Sequence, residues 1–298
     1  MVEEERLMIA DHVAEREGIY PYITLMRLNK PIGILLLLWP TLWALWLAAK
    51  GYPDPLMLAV FVAGVIVMRS AGCVINDIAD RHVDGHVKRT RERPLAVGKI
   101  TIPSALVLFF VLILCALLLV LLCNFFTIQL AFIGAALAVI YPFLKRITHL
   151  PQAWLGMAFA WSVPMAFAAE TNAVPFVGWF LFFTAMVWPV IYDTMYAMAD
   201  RVDDVKIGVK SIAILFGRWD LAMIALLQMV FVSMMVFVGR LFQLDVIYYA
   251  SLLVVSALFV YQQWLIKDRD PALCMRAFLN NHWIGCIIFM GIFFSYLS

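Results

Sequence analysis

Long apolar runs dominate this chain and limit its possible folds more than any other feature. Nine runs approach the length of about 20 residues that an α-helix needs to cross a bilayer. A helix satisfies its backbone hydrogen bonds internally, so it can cross lipid without unpaired polar groups. The predicted spans are 31–49, 55–75, 102–122, 128–143, 151–169, 175–198, 221–238, 246–266 and 277–297. We therefore expect an all-α, polytopic membrane protein with a single domain over residues 1–298.

The composition of the chain agrees with a location in the bilayer. Hydrophobic residues make up 65% of the chain and charged residues 14%, whereas a soluble domain would carry about 25% charged residues. The net charge of +2 is too small to favour nucleic acid as a partner. The five cysteines show no CxxC spacing, so a zinc site is not predicted. No feature of the sequence predicts an obligate protein partner.

The distribution of lysine and arginine predicts the orientation of the spans. With the N-terminus in the cytosol, 19 of the 22 basic residues fall in cytosolic segments, in agreement with the positive-inside rule. Lys50 and Arg240 then lie on the outer side, and Arg69 lies within the second span. We therefore expect a cytosolic segment over residues 1–30, long cytosolic loops and a C-terminus on the outer side.

Two clusters of polar residues stand at the cytosolic ends of the second and sixth spans. Residues three and four positions apart share one face of a helix, and both clusters follow this spacing. The first cluster comprises Asn76, Asp77, Asp80 and Asp84, and the second comprises Asp193, Tyr196, Asp200 and Asp204. A solvated helix end would explain either cluster alone. Two clusters at equivalent positions, four spans apart, indicate a diverged internal repeat with a shared function.

The chemistry of the clusters favours a divalent metal bound together with a diphosphate. Neighbouring carboxylates repel one another, and a hard cation relieves this repulsion. Mg²⁺ is typically held by one or two carboxylates together with phosphate oxygens. Basic residues suited to phosphate follow the first cluster and the fourth span, namely Arg89, Arg93, Lys145 and Arg146. Positive-inside anchoring would also explain the basic run after the first cluster, so both interpretations stay open.

Arg69 is a basic residue inside the second span, two helical turns before Asn76 and on the same face. Ionisable residues at membrane depth are costly and are commonly functional. A lone arginine can also extend to the membrane surface. The face that it shares with Asn76 favours an interior role, in which Arg69 holds an anionic group of a second substrate.

At these residues the chain resembles the UbiA family of intramembrane prenyltransferases, and the resemblance covers residues 22–296. The first cluster fits the family's NDxxDxxxD motif and the second fits its DxxYAxxDxxxD motif. RLNKPIG at residues 27–33 and DGHVKRT at 84–90 are similar to members that act on 4-hydroxybenzoate in ubiquinone synthesis. The resemblance implies nine helices around a central cavity that opens sideways to lipid, with a cytosolic cap, in the bacterial inner membrane.

The resemblance also implies a reaction. Mg²⁺ between the motifs would promote ionisation of a polyprenyl diphosphate, and the ring carbon ortho to the hydroxyl of 4-hydroxybenzoate would attack the allylic cation. The implied metal ligands are Asn76, Asp80, Asp84, Asp200 and Asp204. The implied catalytic residues are Asp80, Asp193 and Asp200. The implied substrate-binding residues are Arg69, Asp77, Arg89, Arg93, Lys145, Arg146 and Tyr196.

Other functions are still open from the sequence. A family member could use another acceptor, such as a haem, a naphthoate or a chlorophyll precursor. A secondary transporter would also combine many spans with intramembrane acids. A CDP-alcohol phosphotransferase would combine acidic residues, a metal and a membrane, but its run of Asp-Gly and Ala-Arg pairs is not found here.

Overall fold

The computed structural model describes residues 18–81, 90–144, 151–208 and 210–298, and these residues form helices and turns without a strand. The helices are α1 (18–25), α2 (Ile32–Ala48), α3 (Pro55–Asp80), α4 (Ile102–Val120), α5 (Phe125–Leu144), α6 (Pro151–Ala160), α7 (Ser162–Thr171), α8 (Phe176–Ile207), α9 (Ile212–Phe216), α10 (Asp220–Leu241), α11 (Val246–Ile266) and α12 (Pro271–Ser295). A 3₁₀ turn, Gly217–Trp219, joins α9 to α10. The prediction of an all-α fold is confirmed.

Six helical segments in the described part of the chain are long and apolar enough to cross a membrane, as expected of a multi-pass membrane protein. They are Pro55–Asp80, Ile102–Val120, Phe176–Lys206, Ile212–Leu241, Val246–Ile266 and Pro271–Ser295. The apolar segments Ile32–Ala48 and Phe125–Ile140 are shorter, and the predicted span 151–169 is divided into α6 and α7. Pro164 explains this division, because its ring clashes with the carbonyl of Ala160, where α6 ends. The predicted count of nine crossing helices is not confirmed and stays a prediction.

Two helices extend farther at their C-terminal ends than their apolar runs predicted. α3 continues to Asp80, and α8 continues to Ile207. The end of an apolar run marks the edge of the lipid, whereas a helix can continue beyond it into a polar environment. Gly208 caps the C-terminus of α8. It has a left-handed φ of 72° and donates its N–H to the carbonyl of Asp204. The described residues of both clusters therefore lie on continuous helices.

Aromatic side chains of α2 and α8 pack these helices against α12. Trp43 of α2 and Trp188 of α8 are fully buried, and their ring centroids are 5.3 Å apart. Trp43 donates its indole N–H to the carbonyl of Gly285 at 3.0 Å, and Trp188 donates to Oδ1 of Asn281 at 3.1 Å. Gly285 permits the close approach of Trp188, because a Cβ atom there would lie 2.6 Å from the ring of Trp188. α2 also contacts α3, so it links the two helices that carry the clusters.

Candidate active site

The C-terminal end of α3 carries the described part of the first cluster. Asp77 and Asp80 are buried, and Asn76 is half-buried. The amide nitrogen of Asn76 donates a hydrogen bond to Asp80 at 3.2 Å. Because this bond uses the nitrogen, the amide oxygen stays available as a metal ligand beside the carboxylate. Asn76 and Asp80 are thus brought together as predicted, and they offer the oxygen ligands that Mg²⁺ prefers.

The second cluster lies on the C-terminal half of α8, and its carboxylates share one helical face as predicted. Asp193, Asp200 and Asp204 are all half-buried. Asp193 lies seven residues before Asp200, which corresponds to about 10 Å along the helix. The ring of Tyr196 packs edge-on against Phe278 of α12, with centroids 5.0 Å apart. α12 therefore supports this face of α8 as well as the aromatic core.

Arg69 lies at the corresponding level of α3, seven residues and about 10 Å before Asn76. Its guanidinium carbon is 5.8 Å from the ring centroid of Phe159 in α6, within the range of a cation–π contact. Gly33 of α2 provides the space, because a Cβ atom there would lie 2.4 Å from Nε of Arg69. Arg69 therefore packs between helices inside the bundle, which favours the interior role over extension to the surface.

Two arginines bind Asp77. Nη2 of Arg27 lies 2.9 and 2.8 Å from its two oxygens, and Nη1 of Arg93 lies 3.0 Å from Oδ1. Arg27 also donates to the carbonyl of Thr24 at 2.7 Å. Asp77 thus joins the segment before α2 and the segment between α3 and α4 to the end of α3.

This ion pair adds a structural role to two predicted substrate-binding residues. Asp77 fixes the guanidinium of Arg93 beside the end of α3. Direct contact of either residue with substrate stays a prediction. Arg27 was not among the predicted site residues. Its signals in the sequence are its place in the RLNKPIG stretch and its position as a basic residue just before the first span, where it could line a common cytosolic cavity.

The described residues do not form a closed metal site. Within 18–81, 90–144, 151–208 and 210–298, no three His, Cys, Asp or Glu side chains are grouped to bind one ion. Of the predicted ligands, α3 carries Asn76 and Asp80, and α8 carries Asp200 and Asp204. Mg²⁺ usually takes one or two carboxylates and completes its coordination with phosphate oxygens and water. The all-oxygen set divided between two helices therefore fits Mg²⁺ bound with a diphosphate better than a protein-only metal cage.

Four predicted site residues lie outside the described residues. They are Asp84, Arg89, Lys145 and Arg146. Their chain positions place them directly after α3 or α5, the helices that lead into these segments. Their predicted contacts with metal or diphosphate stay predictions.

Comparison with known proteins assigns this chain a family. The UbiA prenyltransferase family matches residues 37–290. A relative from Coxiella burnetii, named 4-hydroxybenzoate octaprenyltransferase, is 55% identical over 281 residues, which cover 94% of this chain and 98% of the relative. A relative of the same name from Vibrio atlanticus is 56% identical over 275 residues, which cover 92% and 97% of the two chains.

Solved structures share the fold. A UbiA homolog from Aeropyrum pernix K1 matches with a TM-score of 0.76 at 22% identity, covering 87% of this chain and 96% of that chain. A UbiA homolog from Archaeoglobus fulgidus, bound to GPP and Mg²⁺, matches with a TM-score of 0.71 at 17% identity, covering 93% and 100%. At these identities the similarity supports the arrangement of the helices.

Proposed function

Because the chain belongs to the UbiA prenyltransferase family, we propose that it transfers a polyprenyl group from polyprenyl diphosphate to 4-hydroxybenzoate. The new bond forms at the ring carbon ortho to the hydroxyl, and the products are 3-polyprenyl-4-hydroxybenzoate and diphosphate, for ubiquinone biosynthesis. The near full-length similarity to two relatives named 4-hydroxybenzoate octaprenyltransferase carries this proposal. The transporter and phosphotransferase alternatives find no support in these comparisons.

The donor end of the site combines oxygen ligands with arginines. The proposed Mg²⁺ ligands are Asn76, Asp80, Asp84, Asp200 and Asp204. Bound Mg²⁺ supplies positive charge that stabilises the departing diphosphate. Arg93 adds a fixed positive charge beside α3, and the proposed phosphate contacts are completed by Arg89, Lys145 and Arg146. Departure of the diphosphate leaves an allylic cation, which the ring carbon ortho to the hydroxyl of 4-hydroxybenzoate attacks.

The acceptor end of the site lies deeper in the bundle. Arg69 and Asp193 each lie about 10 Å from the metal ligands of their own helix, which leaves room for one aromatic ring. Arg69 holds the carboxylate of 4-hydroxybenzoate, and its guanidinium fork suits that group. Asp193 orients the phenol or takes a proton as the ring regains aromaticity. Tyr196, held edge-on by Phe278, lines the ring pocket.

The single domain belongs in the bacterial inner membrane, with the N-terminus and both clusters on the cytosolic side. The bias of lysine and arginine towards the proposed cytosolic segments supports this orientation. A site with its deep end in the bilayer also suits a prenyl tail, which leaves sideways into lipid.

The direct test is transfer in vitro. The full chain, purified in detergent, is incubated with labelled polyprenyl diphosphate, 4-hydroxybenzoate and Mg²⁺, and labelled 3-polyprenyl-4-hydroxybenzoate is the expected product. Excess chelator should stop its formation. Transfer to a naphthoate but not to 4-hydroxybenzoate would assign a different acceptor. Absence of transfer to any aromatic acceptor would contradict the proposed activity.

Substitution of Arg69 tests the acceptor end. A hydrogen bond to a charged group contributes about 1.5–3 kcal/mol, so Arg69→Ala should raise the KM for 4-hydroxybenzoate by roughly tenfold or more. The KM for the prenyl diphosphate should stay within about twofold, because Arg69 lies away from the metal ligands. Arg240→Ala is the control, since it removes an exposed arginine at the outer end of α10. A larger effect on the prenyl diphosphate would remove Arg69 from the acceptor site.

A further inference from the structure

A second group of buried charge lies beside the second cluster and is not part of the proposed metal or acceptor sites. Its centre is Asp220, the first residue of α10, whose side chain is completely buried. Arg201 of α8 and Arg269 of the turn between α11 and α12 both bind this carboxylate. We call these three residues the Asp220 triad.

Both oxygens of Asp220 are hydrogen-bonded. Nε of Arg269 lies 3.1 Å from Oδ1 and 3.2 Å from Oδ2, and Nη2 of Arg269 lies 2.8 Å from Oδ1. Nη2 of Arg201 lies 2.8 Å from Oδ2. The backbone N–H of Leu221 donates to Oδ1 at 2.7 Å. The carboxylate thus meets the condition under which a buried charge is tolerated, namely close partners of opposite charge with good hydrogen bonds.

Arg201 connects the end of α8 to the segment that leads into α10. Its Nη2 also donates to the carbonyls of Ala213 and Gly217, the latter at 3.0 Å. Arg201 directly follows Asp200, so its side chain leaves α8 about a quarter turn away from the face of the carboxylates. α8 therefore presents Asp200 and Asp204 on one side and is fastened through Arg201 on the adjacent side. Rotation or fraying of this end would break the bonds of Arg201.

Arg269 reaches Asp220 from a strained turn. Its backbone has a left-handed φ of 55°, which is uncommon and unfavourable for a residue with a side chain. Besides binding Asp220, its guanidinium donates to the carbonyl of Arg218 at 3.1 Å. The hydrogen bonds to Asp220 raise the pKa of Arg269 further above its usual range. The turn between α11 and α12 is therefore shaped to bring a permanent positive charge to Asp220.

We propose that Asp220 is a positioning residue for prenyl transfer, which acts through Arg201 to hold Asp200 and Asp204 of α8 in place for the metal. This role rests on the proposed function, because it concerns the presentation of the proposed metal ligands. The end of α8 needs such support, since it continues for more than two turns beyond the apolar run that ends near residue 198, and helix ends fray without tertiary contacts. The end of α3 has a matching arrangement, in which Asp77 binds Arg27 and Arg93.

Asp220→Asn in the full chain tests the proposal. The amide keeps the shape of the side chain but loses the charge that fixes Arg201. The Mg²⁺ concentration for half-maximal transfer should rise at least tenfold, whereas the KM for 4-hydroxybenzoate should stay within twofold. A merely structural role would lower the yield of folded protein without changing the Mg²⁺ dependence of the remainder. The matched control is Asp268→Asn, because Asp268 is 74% exposed in the same turn and lies 3.9 Å from Lys267.

A double variant separates positioning from folding. Asp220→Asn combined with Arg269→Gln restores the net charge of the triad but still leaves Arg201 without its carboxylate, so the raised Mg²⁺ requirement should persist. An unchanged Mg²⁺ requirement in either folded variant would overturn the proposal. Failure of both variants to accumulate in membranes would also overturn it, because the triad would then be a folding requirement.

The positioning role of the Asp220 triad can be tested even if the proposed reaction is wrong. If the unsubstituted protein does not prenylate 4-hydroxybenzoate, the proposed reaction is wrong. The triad is then tested by Mg²⁺-dependent binding of geranyl diphosphate, in which Asp220→Asn should raise the Mg²⁺ midpoint by the same tenfold factor. Equal midpoints for Asp220→Asn and the unsubstituted protein would overturn the positioning role.

Discussion

Asp80→Ala and Asp200→Ala should each lower prenyl transfer by about 1,000-fold or more, because metal stabilisation of the leaving group contributes several kcal/mol. Among the described residues, each helix supplies only two of the proposed ligands. Loss of Asp80 leaves Asn76 alone on α3, and loss of Asp200 leaves Asp204 alone on α8. Transfer is measured per amount of membrane-inserted protein. This amount should be the same for both variants as for the unsubstituted protein.

Asp203→Ala is the matched control for this prediction. Asp203 lies three residues after Asp200, about 60° around the axis of α8. It is not one of the proposed metal ligands, and its carboxylate lies 3.4 Å from Lys206. We expect this variant to keep its activity within about twofold, since surface ion pairs contribute little. Full activity of Asp80→Ala or Asp200→Ala, or of the unsubstituted protein in excess chelator, would contradict a metal-bound diphosphate.

Regular helical patterns explain which parts of the fold were predictable. The predicted span 246–266 coincides with α11, because an apolar run bounded by polar residues on both sides defines both ends of a helix. The spacing of three and four residues likewise placed the carboxylates of each cluster on one face. The division of the predicted span 151–169 at Trp161 was not predicted. The span was assigned from hydropathy, which does not distinguish Pro164 from the other residues of an apolar run.

Ion-pair partners were the part of the site that the sequence could not predict. The contact of Arg93 with the diphosphate stays a prediction, and its ion pair with Asp77 was not predicted. Asp220 lies 49 residues from its partner Arg269. In the sequence it is a single acid before an apolar run, and this pattern does not predict an ion pair. Opposite charges attract at any separation along the chain, so only the packing of the helices decides which arginine reaches which carboxylate. The packing partners of Arg69 show the same limit, since its contact with Phe159 depends on the space beside Gly33.

Asp77→Asn should destabilise the protein by about 3–5 kcal/mol, the usual effect of removing one partner from a buried ion pair. Asp77 is 1% exposed, and the side chains of Arg27 and Arg93 are 22% and 16% exposed. The amide leaves two partly buried guanidinium groups without their carboxylate. Thermal unfolding in detergent measures this loss. Activity of the surviving protein should show a raised KM for the prenyl diphosphate, because Arg93 is no longer fixed beside α3.

The cause of this loss can be isolated because the chain offers both a compensating variant and an exposed counterpart. Asp77→Asn with Arg27→Gln removes one uncompensated charge, so it should recover part of the lost stability but not the KM, which depends on the placement of Arg93. Glu92→Gln is the exposed counterpart. The side chain of Glu92 is 85% exposed, and its Oε1 lies 3.9 Å from Nε of Arg91, so this variant should leave the unfolding temperature unchanged. Equal melting of Asp77→Asn and Glu92→Gln would mean that Asp77 gains little from its arginines. A double variant no more stable than Asp77→Asn would mean that lost packing, and not charge, causes the effect.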